Sequence, residues 1–107
     1  MGVSEPLIQT SLLGEAIEHA PVAVFVADEN GAFVAVNQWA CTMLGYERSE
    51  LLAMSVGEIS PGEAIAVDKE GVKHVRLTRS DGTKVEFSYA TGETTVAGMT
   101  VFVHVGR

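Results

Sequence analysis

Apolar and polar positions divide the chain into short blocks, each with its own period. Leu12, Leu13, Ala16, Ile17 and Ala20 recur at helical spacing, with Ser11 as an N-cap and Glu15 in the first turns. Pro21 closes that helix, because a proline disfavours helical geometry at the residue before it. An apolar run at 22–27, the polar turn Asp28-Glu29-Asn30-Gly31 and a second run at 32–36 read as a β-hairpin. Asn37 then caps a helix with apolar residues at Ala40, Met43 and Leu44, Ser49 begins a shorter helical turn, and 55–59 makes another before Ser60-Pro61-Gly62 breaks the chain. The segment 63–70 has room for at most about two helical turns before Gly71.

The last third is strand-rich. Over 72–79, Val75 and Leu77 share one face and Arg76 and Thr78 the other. After the turn Ser80-Asp81-Gly82, the residues Val85, Phe87, Tyr89 and Thr91 alternate with Glu86, Ser88 and Ala90. A polar connection is expected over 92–98, followed by a final strand at 99–105 with Val101, Val103 and Val105 on one face and Thr100, Phe102 and His104 on the other. Five strands result, with the short helices between the second and third. Residues 1–10, weakly patterned around Pro6, are expected to be a flexible leader, and 11–107 a single domain.

The order of these parts resembles the PAS sensor domains. The residues that carry the likeness are Asp28 and Gly31 before a short apolar strand, then Asn37, Gly45 and Tyr46, then Ser49-Glu50-Leu51-Leu52, and it extends from Leu12 to about Val105. The resemblance implies an α+β fold: a five-stranded antiparallel sheet with short helices on one face, preceded by an N-terminal amphipathic helix that packs on the sheet or on a partner's helix. Most PAS domains place a helix of several turns where this chain has 63–71, and that helix forms a wall of the ligand cavity. Relatives often end in D-I-T-E-R leading to a helical linker; here His104-Val105-Gly106-Arg107 stands instead, in a stand-alone domain or a piece of a larger sensor.

Composition narrows the function classes. At 107 residues and 47% hydrophobic, the chain suits one packed core. Fourteen acidic residues against seven basic give a net charge of -7, which repels phosphate backbones and argues against nucleic acid. Lys73, Arg76, Arg79 and Lys84 cluster around one turn, as solvated hairpin ends do. No apolar run reaches the ~20 residues of a membrane span, and MGVSEPLIQT has neither a basic region nor a long apolar core. Pro6 occupies the position where a myristoylation signal needs Ser or Thr. The single Cys41 suits a reducing compartment, the cytoplasm.

Candidate chemistry is sparse. No paired carboxylates, glycine-rich phosphate loop, Ser-His-Asp order or CxxC can be assembled, so an enzyme is not expected. Cys41 lies among apolar neighbours, where a thiol acts as a small hydrophobe. The light-sensing LOV branch carries its flavin-adduct cysteine in an N-C-R-F-L-Q type motif on a later helix, and nothing similar follows Leu52, so covalent flavin is not expected either. His19, His74 and His104 are too widely spread for a metal site. Haem-binding PAS domains ligate iron from the helix corresponding to 63–71, which holds no histidine. His19 suits the negative end of the first helix. His104 is the more informative: it shares a face with Phe102, and likeness to flavin-binding relatives puts it inward, where it needs a hydrogen-bond partner.

The inner face implies a ligand-facing set of Phe25, Ala27, Ile65, Leu77, Phe87, Tyr89, Phe102 and His104, which otherwise serves as plain core. A dimer interface would use Leu12, Leu13, Ala16, Ile17, Val101 and Val103. Trp39, where relatives more often have a small residue, is expected to reach the surface. Three readings follow: a sensor for a small apolar or amphipathic ligand that relays occupancy to a partner or fused effector, a ligand-free dimerisation and relay module, and, least supported, an enzyme or redox photoreceptor.

Overall fold

The computed structural model describes residues 6–60, 66–67 and 71–107. Its elements are α1 (Pro6–Glu18), β1 (Ala23–Ala27), β2 (Phe33–Val36), α2 (Gln38–Leu44), α3 (Arg48–Leu51), α4 (Val56–Ile59), β3 (Ala66–Val67), β4 (Lys73–Thr78), β5 (Lys84–Val96) and β6 (Met99–Gly106). The strands form one antiparallel sheet in the order β2-β1-β6-β5-β4-β3. The final strand therefore inserts beside the first, which makes the sheet's centre a long-range pairing. Five of these strands are the expected ones, and β3 adds two residues at an edge.

The first hairpin closes through Asp28. Its Oδ1 accepts from the backbone N–H groups of Asn30 at 2.9 Å and Ala32 at 3.0 Å. Gly31 takes φ 82, the left-handed conformation that glycine adopts without steric cost. A bulge between Val26 and Ala27 shifts the register, so that Phe33 and Val36 are both buried while Val34 and Ala35 are exposed. Met54 and Val56 extend the pairing, accepting from Phe33 N and donating to Gly31 O respectively.

Asn37 caps α2 as expected, accepting from Ala40 N at 3.1 Å, and Gly45 ends that helix at φ 77, donating to Cys41 O at 2.8 Å. The next cap is Glu47 rather than Ser49. Glu50 reaches back to accept from Glu47 N at 2.9 Å, so α3 begins one residue before the serine. The same reciprocal logic holds at α4, where Glu58 accepts from Ser55 N at 3.1 Å.

Four further expectations are corrected. α1 starts at Pro6, not after Ser11: proline fits the first helical position because its fixed φ is helical and its missing N–H costs nothing there. The expected leader thus includes 6–10 of a helix, while 1–5 lie outside the described residues. Within 63–71, Ala66–Val67 is extended and pairs with His74 and Lys73, with Gly71 at φ 83 turning the chain back; the remainder of the expected short helix, Ile65 included, falls outside the described residues. The connection expected at 92–98 is instead strand to Val96, closed by Ala97 and Gly98 at φ 51 and 80. Its threonines are polar but β-branched, and a pleated strand favours that branching. Finally, α1 does not cover its own sheet, since none of its residues is buried.

The core lies between the sheet's inner face and α2–α4. Phe25, Val75, Leu77 and Phe87 meet Ala40, Cys41, Leu44, Leu51 and Ile59 there. Each burial of a Leu- or Phe-sized side chain is worth ~1.5–3 kcal/mol, which is how helices of only four residues hold their place.

Candidate functional site

Five rings run in series across the inner face of the sheet. Phe33 and Phe25 stand 5.4 Å apart, Phe25 meets Phe87 edge-on at 5.9 Å, Phe87 stacks on Tyr89 at 5.5 Å, and Tyr89 meets His104 edge-on at 5.5 Å. Strand register sets this series. Phe25 is directly opposite His104, Val75 opposite Phe87, and Lys73 opposite Tyr89, and directly opposed residues share a face.

Between these rings and α4 lies a cavity of about 40 Å³, walled by Phe25, Phe33, Val75, Leu77, Phe87, Tyr89 and His104 from the sheet and by Val56, Ile59 and Ser60 from the helix side. Its walls are apolar apart from Ser60, the Tyr89 hydroxyl and the His104 ring.

His104 is the polar end of the ring series. Its Nδ1 lies 2.8 Å from Thr91 Oγ1, so the partner that an inward histidine requires is a threonine on the neighbouring strand. Burial, with a smaller contribution from the Lys73 charge, holds its pKa below the usual histidine value, which favours the neutral ring. Burial alone raises the Tyr89 phenol. Lys73 Nζ lies 5.9 Å from the centroid of the Tyr89 ring, over its face.

Of the expected ligand-facing residues, Phe25, Leu77, Phe87, Tyr89 and His104 line this cavity. Ala27 and Phe102 share the inner face but sit one register step away, opposite each other, outside its walls. Ile65 lies outside the described residues. Val75 was recognisable from the alternation that puts it on one face with Leu77. Phe33 was hidden by the bulge, because strict alternation puts Phe33 and Val36 on opposite faces.

The expected interface residues divide. Leu12, Leu13, Ala16 and Ile17 are all on the surface of α1, whereas Val101 is 4% exposed and offers almost no surface to a partner. Trp39 is half exposed on the first turn of α2. Cys41 belongs to the core cluster, and burial raises its thiol pKa against the opposing pull of Arg48. His74 pairs with Ser88 Oγ at 2.8 Å on the sheet's other face, and exposed His19 stands 3.6 Å from Glu15. Among the described residues, no group of three or more His, Cys, Asp or Glu side chains could hold a metal ion, and no helix is long and apolar enough to cross a membrane.

The PAS fold family model matches residues 12–105. The chain belongs to the PAS family. A PAS domain from a two-component sensor histidine kinase superposes with a TM-score of 0.82 at 20% identity, covering 96% of this chain and 98% of that one. The PAS domain of an HTR-like protein from Haloarcula marismortui gives 0.78 at 25% identity over 92% and 96% of the two chains. A domain of the sensory box sensor histidine kinase/response regulator from Geobacter sulfurreducens gives 0.76 at 20% identity over 99% of both. No curated protein sequence matches the chain. As a PAS domain, the chain is of a kind that typically serves as a sensory and signalling module rather than a catalyst, and the relatives include domains from sensor histidine kinases.

Proposed function

We propose that this PAS domain senses a small apolar or amphipathic molecule in the cavity beneath α4 and relays its occupancy to a partner or a fused effector. The observation that carries the reading is the cavity: rings on one side, the four-residue α4 on the other, and the His104 imidazole at one end. Apolar walls supply the affinity for a compact body, and the few polar groups supply orientation. A wall as short as α4 costs little to displace. Occupancy there presses on β4 and, through the ring series, on β1 and β6 at the sheet's centre. The domain would work in the cytoplasm, attached to or pairing with a signalling unit, as the likeness to sensor kinase domains suggests.

Protein purified natively and then denatured for mass spectrometry tests this. A retained small molecule, or a thermal shift across a metabolite panel, supports the reading; neither appearing counts against it.

A second reading rests on α1. Leu7, Leu12, Leu13 and Ile17 are 46–81% exposed on a helix that buries nothing, a concentration of apolar surface that favours pairing with a second copy. On this reading the domain is a dimerisation and relay module, and sedimentation across concentrations would find a dimer.

A further inference from the structure

A cation stands outside the cavity walls, against the ring of Tyr89, which is one of them. Lys73, the first residue of β4, shares the inner face with Tyr89 and lies over its ring; Tyr89 in turn meets His104 edge-on, and all three stand at the same end of the ring series. Among the described residues no carboxylate forms an ion pair with Lys73. Glu93, the next acid along that face of β5, is opposite Phe102 at the overhanging part of the hairpin and is exposed. In a chain of net charge -7, Lys73 thus brings a cation to the Tyr89 and His104 end of the ring series.

We propose that the sensed ligand is a small monocarboxylate with a compact apolar body, its carboxylate held between the Lys73 ammonium and the His104 imidazole and its body against Phe87 and Phe25. This rests on the ligand-sensing reading above and names its chemical class. The cavity of about 40 Å³ suits a compact apolar body. The Thr91 hydroxyl can donate to or accept from His104 Nδ1; the proposed site uses the tautomer in which it donates, so that Nε2–H can donate to a carboxylate. Lys73 gives a charge-assisted partner at partial burial, where it is screened less than in water. An incoming carboxylate would oppose the Lys73 charge at His104 and move the ring's depressed pKa back upward.

The test is an NMR titration with isobutyrate and with its neutral isostere isobutyramide, following the ring signals of Phe87, Tyr89 and His104 in the wild type, Lys73→Gln and Lys73→Arg. We expect isobutyrate to bind about tenfold more tightly than the amide in the wild type, the preference to vanish in Lys73→Gln, and Lys73→Arg to retain it. Equal binding of the two probes, or a preference unchanged in Lys73→Gln, overturns the carboxylate assignment while leaving a sensing cavity in place. If neither probe binds, the assignment also falls, and the metabolite panel separately decides the fate of the cavity reading.

Discussion

The side-chain amide of Asn37 donates to the carbonyl of Ile17 at 2.8 Å, joining the cap of α2 to the last turn of α1. The same amide donates to Val22 O at 2.9 Å, and its oxygen accepts from Val24 N at 3.0 Å and Ala40 N at 3.1 Å. One residue, 3% exposed, therefore sets where α1 leaves the domain, where β1 begins and where α2 starts. The Arg48–Glu18 ion pair adds a second link to α1, but in solvent, where such pairs are worth little.

Asn37→Ala should lower unfolding stability by ~2–4 kcal/mol, combining a lost cap with buried carbonyl and N–H groups left unpaired. Asn37→Asp keeps the two accepted bonds but sets a carboxylate against the Ile17 and Val22 carbonyls. It should cost a comparable amount, and hydrogen exchange should show the end of α1 loosened in both variants. Urea denaturation with an unchanged m-value checks the energetic part. A loss below ~1 kcal/mol in either variant would show that the four bonds are not the tie described.

Asn37 also marks the extent to which the sequence was readable. Its role as a helix cap follows from local pattern, as do the first hairpin and the alternation in β4 and β5, because each is decided within a few residues; the inward His104 rests instead on the likeness to relatives. Its bonds to Ile17 and Val22 depend on how α1 docks, and no local period encodes that. The bulge at Val26/Ala27 hid Phe33 from the site, since one inserted residue reverses the face of everything after it. The threonines of β5 are polar as loop residues are, and only their β-branching marks them as strand. Cavity walls from α4 were missed because Val56 and Ile59 meet the sheet only through long-range packing.

Glycine is required at two contacts. A Cβ on Gly106 would fall 2.1 Å from Ser88 O, a backbone atom in the paired strand, and cannot be accommodated without moving β5 or β6. A Cβ on Gly45 would fall 2.7 Å from Ser80 Oγ, at φ 77. Gly106→Ala should cost ~3 kcal/mol or more, and Gly45→Ala ~1–3 kcal/mol. Adding Ser80→Ala to Gly45→Ala relieves the contact but also removes the Ser80 hydroxyl bond to Gly45 O, so stability should be regained only in part. Thermal unfolding of the three variants gives the ranking, and Gly106→Ala proving milder than Gly45→Ala would contradict the close approach of β5 and β6.

The depressed pKa of His104 makes a pH prediction with a fixed sign. A folded-state pKa below the ordinary histidine value of 6.5 means that the unfolded chain binds more protons between the two values, so stability rises with pH through that window and is level above it. The wild type should therefore lose stability relative to His104→Gln as pH falls from about 7 toward 5, and the two should run parallel above about 7.5. Urea unfolding at a series of pH values measures the difference. Parallel curves throughout would mean that the ring titrates as it does in the unfolded chain.

Because α1 buries none of its residues, changing its apolar positions should leave the fold of the domain untouched. Leu13 is 61% exposed, so Leu13→Glu should alter monomer stability by no more than ~0.5 kcal/mol. Its effect on association is a different matter. If α1 pairs with a second copy, a charge placed in that apolar face weakens the dimer strongly, whereas Val101→Ala should act through folding because Val101 is buried. Sedimentation paired with thermal unfolding separates these outcomes: dissociation without loss of stability for Leu13→Glu assigns the helix to an interface, and a wild type that stays monomeric at every concentration removes α1 from that role.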